Sequence, residues 1–129
     1  MSLTIINFSA QIVPVPFMRA IPAEHVVNPK RYRHFKDELG WHAKQAMHGQ
    51  EPFDGLLRLS CHFYKNYKNI ASQGYGDVDN FCKAVMDALQ GICYLNDAQI
   101  AEIHAFKHYD RKPHIEILIN TFKGDDSRD

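Results

Sequence analysis

Apolar and polar positions repeat along most of this chain, and the period changes from segment to segment. Residues 56–64, LLRLSCHFY, put Leu57, Leu59, Cys61 and Phe63 on one face and Arg58, Ser60, His62 and Tyr64 on the other. That two-residue period predicts a half-buried strand. In 114–122, Ile115, Ile117 and Ile119 alternate with His114, Glu116 and Leu118, and 100–107 reads as a further strand. Asp110-Arg111-Lys112-Pro113 lies between them, so a closing hairpin is expected. At the N-terminus, 3–7 (LTIIN) and 11–15 (QIVPV) predict two strands joined by a tight turn. Pro14 and Pro16 confine the second to an edge or end it.

The helical period appears twice. Asn28-Pro29 has the form of an N-cap followed by a first-turn proline. From there to about Met47, Tyr32, Phe35, Leu39, His42/Ala43 and Ala46 recur at three- and four-residue spacing. Gly40 inside this stretch costs about 1 kcal/mol against alanine, which suggests close packing there. The second helix is expected over 78–90, with Phe81, Val85, Ala88 and Leu89 on one stripe and Gly91 as its stop. Residues 19–28 and 65–76 are irregular. The expected class is α+β: a mixed or antiparallel sheet of four to five strands packed with two main helices, forming one domain over 1–123 with a polar tail at 124–129.

Composition narrows the setting. The chain has 129 residues, 45% hydrophobic and 23% charged, which is ordinary for one globular domain. No apolar run approaches the ~20 residues needed to cross a bilayer, and no signal-peptide pattern opens the chain. The cytoplasm is the expected compartment. Three cysteines without CxxC spacing argue against a disulfide framework or a zinc ribbon. Eight histidines include no HExxH spacing. His62 and Cys61 fall on opposite faces of their strand; His104 and His108 are candidates to line a basic groove. Net charge is zero, which argues against binding nucleic acid through bulk charge. Its distribution is uneven, however. Lys30, Arg31, Arg33 and Lys36 crowd the start of the first helix, where cations oppose the helix dipole. Lys65 and Lys68 interleave with Tyr64 and Tyr67. With Arg19, these cations are candidates for contacts to nucleic-acid phosphates.

The candidate chemistry lies in GYGDVDNFCKAVMDALQGICYLND, residues 74–97. Asp77 and Asp79 flank the mouth of the second helix, and Lys83 lies one turn past Asp79. Asp97 follows the helix after a short connection long enough to return it to the helix's starting end. Like charges brought together need neutralising, and a divalent cation with hard oxygen ligands does that. Three carboxylates and a lysine therefore point to metal-assisted phosphodiester chemistry. A second reading stays open: acid at a helix start is also an ordinary cap, worth about 1 kcal/mol. On that reading the protein is a non-enzymatic interaction module.

The ordered run Asp77-Val78-Asp79-Asn80-Phe81-Cys82-Lys83, then Asp87-Ala88-Leu89, then Asn96-Asp97-Ala98-Gln99 resembles the signature of the RusA family. These are small, phage-associated Holliday junction resolvases. The resemblance implies an α+β homodimer that nicks four-way DNA junctions with Mg²⁺, or with Mn²⁺ in its place. It implies Asp77, Asp79 and Asp97 as metal-binding catalytic carboxylates and Lys83 as the essential lysine. Asn80 would orient the site, and Asp87 and Asn96 would support it from behind. Asn96 stands where the family often has an aspartate, and the N-terminal PVPFMRAIP departs from the arginine-rich opening of well-known members. A structure-selective DNA-binding protein with weakened catalysis is the alternative within the same resemblance.

Overall fold

The computed structural model describes residues 5–17, 29–66 and 77–122. Four strands form one sheet: β1 (Ile5–Ala10), β2 (Leu57–Lys65), β3 (Ile100–Tyr109) and β4 (His114–Thr121). Helices α1 (Pro29–Met47) and α2 (Val78–Leu89) pack on one face of it. The strand order is β1-β4-β2-β3. β4 runs antiparallel to both its neighbours, while β2 and β3 are parallel and joined through α2. The sheet is therefore mixed, and the class is α+β as expected. Asn28, the expected cap of α1, and the tail at 124–129 lie outside the described residues.

The two-residue period of β2 becomes burial. Leu57, Leu59, Cys61 and Phe63 are buried, and so are Ile115, Ile117 and Ile119 beside them on β4. Against this face lie Phe35, Leu39, Ala43 and Met47 of α1 and Phe81, Val85 and Leu89 of α2. All three cysteines are buried and free. α2 ends where Gly91 takes φ 87°, a left-handed conformation that glycine adopts without strain. No helix among the described residues is long and apolar enough to cross a membrane.

Two expected hairpins are absent. β3 and β4 are not partners, because β2 lies between them. The β2–α2–β3 crossover places β3 parallel to β2 on one edge and leaves the other edge of β2 to β4. Residues 110–113 do turn the chain, but they step over the end of β2, a gap of roughly 10 Å for two strand spacings. Asp110 N–H donates to the Lys65 carbonyl at 3.1 Å, and the Asp110 carboxylate accepts from Lys112 N–H at 3.0 Å. At the N-terminus, β1 pairs with β4, not with residues 11–15. Pro14 and Pro16 lack the N–H that a ladder needs, so this segment runs without strand pairing. It is anchored instead by buried Ile12 and Val15 and by a bond from Phe17 N–H to the Asn80 carbonyl, 2.9 Å, at the start of α2.

Gly40 marks a close helix contact. A Cβ there would lie 3.1 Å from Ile92 Cδ1 and 3.7 Å from the Ala88 carbonyl oxygen. Gly40→Leu is therefore expected to destabilise the fold by about 1–3 kcal/mol through overpacking. Urea unfolding should show a lower midpoint with an unchanged slope.

Candidate active site

The outer side of α2 and the edge strand β3 diverge to leave a cleft of about 730 Å³. β3 residues in register with buried Leu59 and Cys61, namely Ile103 and Ala105, form its floor. α2 supplies one wall at one-turn intervals: Asp79, Lys83 and Asp87, with Val78, Cys82 and Met86 beside them. Asp97 also lines the cleft. The structure thus brings Asp79, Lys83 and Asp97 to one cavity. Asp77 is the N-cap residue of α2, exposed and adjoining the cleft without lining it. Its side chain makes no capping hydrogen bond, so capping does not occupy this carboxylate. The Asp79 carboxylate accepts from Asn80 N–H at 3.0 Å.

Asp97 does not return to the start of α2, as the length of the connection allowed. Its backbone N–H donates to the Gln90 side-chain oxygen at 3.1 Å, just past the last turn of the helix. It opens a short 3₁₀ turn, Asp97–Gln99, that is unusually well held. Asn96 caps the turn by accepting from Ala98 N–H at 2.8 Å. The Gln99 side-chain oxygen accepts from Leu95 N–H and Asn96 N–H, each at 3.1 Å. Its NH₂ donates to the carbonyls of Phe53 and Gly55, each at 2.9 Å. Asn96 is thus a backbone cap for the turn that carries Asp97. Among the described residues, no three His, Cys, Asp or Glu side chains cluster closely enough to hold a metal ion.

Asp87 links the two helices. It accepts from the Tyr32 hydroxyl at 2.7 Å and pairs with Lys36 Nζ at 3.0 Å. Burial, followed by the bond to Asp87, pushes the Tyr32 phenol up from its ordinary value. The charge of Lys36 is locally matched by Asp87. Lys30, Arg31 and Arg33 are exposed on α1. Arg19 and Lys68 lie outside the described residues.

A cluster of cations borders the N-terminal end of α2. The Lys65 ammonium lies 5.9 Å from the centre of the Phe81 ring. Partial burial and then the nearby charges of Arg31 and Lys107 lower its pKa. Lys107 shares the face of β3 that carries Ile103 and Ala105, in register with Phe63. His104 and His108 are elsewhere, on the opposite face of the sheet. His104 Nε2 lies 3.6 Å from a Glu102 carboxylate oxygen, and His108 Nε2 is 2.7 Å from His62 Nδ1. They line no basic groove with the cleft.

The family model for "Endodeoxyribonuclease RusA" matches residues 14–120, a span that includes both walls of the cleft and every residue of the 74–97 motif. The chain belongs to the RusA endodeoxyribonuclease family. It is also 40% identical over 43 residues to "Uncharacterized protein YqaN" of Bacillus subtilis (strain 168), a match covering 33% of this chain and 30% of that protein. The RusA match places the α2–β3 cleft within the family domain, and β1 alone of the strands falls outside it. Position by position, the sequence had not indicated Gln90, Gln99's double role, Lys107 or the apolar floor residue Ile103. Lys107 could have been found by counting two residues at a time along β3 from Ile103.

Proposed function

We propose that this chain is a divalent-metal-dependent endodeoxyribonuclease that nicks four-way DNA junctions, with the α2–β3 cleft as its active site. The observation that carries this reading is that a RusA family member brings Asp79, Lys83 and Asp97 to the lining of one cleft. The donor set fits Mg²⁺ in kind. Asp79 and Asp97 offer hard carboxylate oxygens to one solvent-open cleft, Asp77 adjoins it, and Mg²⁺ needs only one or two carboxylates, completing its shell with water and phosphate oxygens. Mn²⁺ satisfies the same ligands. When bound, such an ion supplies Lewis acidity at the scissile phosphate and makes an attacking water more acidic.

The protein's own groups do the rest. Asp77 and Asp79 at the start of α2, and Asp97 beyond its last turn, would supply the negative charge that retains such an ion. Lys83, one turn from Asp79, offers its ammonium to the phosphate oxygens as negative charge builds on them, a contribution of about 3 kcal/mol where such donors are well placed. Water attack in line with the leaving 3′ oxygen leaves a 5′-phosphate and a 3′-hydroxyl. Lys65, Arg31 and Lys107 hold the backbone beside the cleft. Paired nicks need paired sites, and a two-fold homodimer matches the approximate symmetry of a four-way junction.

The test is cleavage of an end-labelled four-way junction in Mg²⁺ and in EDTA. Symmetric nicks that require the metal support the proposal. Tight binding without nicks in any divalent metal would favour a junction-binding protein with weakened catalysis. Absence of both would favour the interaction module, in which the aspartates serve the helix start.

The cation cluster carries its own prediction. Lys65→Ala is expected to weaken junction binding by a similar factor for every sequence and to reduce the slope of log affinity against log salt by about 1. Fluorescence anisotropy across a KCl series measures both.

A further inference from the structure

A site that only held metal and phosphate would be polar throughout, and this cleft is not. Along α2 it begins with Asp79 and Lys83 and finishes with Gln90, to which the Asp97 backbone is bonded. Between these polar ends the surface is made by Cys82, Met86, Ile103 and Ala105, with Phe17 from the N-terminal segment and one further carboxylate, Asp87, whose charge is engaged by Tyr32 and Lys36. Ile103 is 45% exposed, high for an isoleucine on the covered side of a sheet. It is exposed because β3 is an edge strand that α2 does not fully roof. Ala105 next to it deepens the floor.

We propose that this apolar middle of the cleft receives one unstacked nucleobase of the bound DNA, adjacent to the scissile phosphate. The inference rests on the nuclease reading and adds the part of the substrate that the site grips. Three features favour a base over another apolar occupant. Lys107, on the same face of β3 as Ile103 and Ala105, and Lys65, over the Phe81 ring of α2, are complementary to a phosphate backbone, so the strand that reaches the carboxylates brings its bases with it. At the exchange point of a four-way junction the continuous stack is interrupted, which lowers the cost of turning a base out. Finally, the oxygen of the Gln90 side chain is taken by Asp97 N–H, which leaves its NH₂ to donate to an acceptor on a base edge. Met86 and Ile103 would cover the two sides of the ring, and Gln90 would read its rim.

The experiment uses the full chain carrying Asp79→Asn, so that bound junctions stay intact, and junctions with 2-aminopurine at each nucleotide near the exchange point. Anisotropy reports binding and 2-aminopurine emission reports unstacking in the same sample. The expected result is a several-fold rise in emission at one position, reduced by at least half when Ile103→Ser is added while binding persists. Removing the base at that position should weaken binding about tenfold with Ile103 present, the scale of one base contact, and much less with Ile103→Ser. Binding without an emission rise at any position overturns the inference and leaves the nuclease reading standing. Equal loss on base removal in both proteins overturns it as well. Failure to bind any junction brings down the nuclease reading, and this inference with it.

Discussion

Asp79→Asn is expected to lower single-turnover junction cleavage by about 10³-fold or more, equivalent to about 4 kcal/mol in the barrier, while leaving the fold and junction binding in place. The substitution is nearly isosteric. Asn Oδ1 can still accept from Asn80 N–H, the bond that Asp79 makes now. The side chain is exposed, so no buried charge is left unpaired. The structural cost is limited to a first-turn charge on the helix dipole, about 0.3–1 kcal/mol. What disappears is a negative charge facing the cleft that Lys83 and Asp97 share. DNA affinity should hold or rise, because a carboxylate that repels phosphate has gone. The measurement pairs gel-resolved cleavage with thermal melting and anisotropy on the same preparation. Asp77→Asn makes a useful companion: its side chain forms no cap bond, so a comparable loss of cutting there could not be blamed on the helix. If the Asp79→Asn protein nicks junctions at the wild-type rate, the assignment of the cleft as the active site is wrong.

The parts of the fold that could be read from the chain are those in which one-sided burial leaves a period. β2 alternates because helices cover one of its faces and not the other, and α2 carries a stripe because only part of it meets the sheet. β3 is different. It is an edge strand whose residues 103 and 105 line an open cleft, so its burial does not alternate cleanly. The sequence around residues 110–113 signals a turn, and a turn there exists. Which strands then pair is a long-range matter, settled by the β2–α2–β3 crossover. The same distinction divides the site. Asp79 and Lys83 are one helical turn apart, so their common face follows from local geometry. Gln99 and Gln90 act across loops, on partners 44 and 46 residues away in one case and seven in the other. Lys36 shows the same limit. Its place in a basic run gave no sign of its partner Asp87, far along the chain.

Gln99→Ala carries the second large effect, through position and not through charge. Four hydrogen bonds converge on this one amide: two from the backbone N–H groups that precede Asp97 and two to the carbonyls of Phe53 and Gly55. At about 0.5–1.5 kcal/mol each, and with some replaced by water, their loss should destabilise the protein by about 2–4 kcal/mol. The capping bond from Asn96 to Ala98 N–H would remain, so the turn would loosen without disappearing. Asp97 would then be held mainly through its own N–H to Gln90, free to swing by the ångström or so that costs about 10²-fold in well-organised active sites. The expected pattern is cleavage down about a hundredfold below the melting transition, with junction affinity within about threefold of wild type, because the Lys65 cluster is untouched. Gln99→Glu sharpens the test. It keeps both acceptor bonds to Leu95 and Asn96 but replaces the NH₂ donor with a carboxylate facing two carbonyl oxygens, so it should be as destabilising as alanine or worse. Cleavage rates measured well below each variant's melting temperature separate misplacement of Asp97 from simple unfolding. A Gln99→Ala protein that melts early yet cuts at the full rate when folded would show that Asp97 does not depend on this turn for its position.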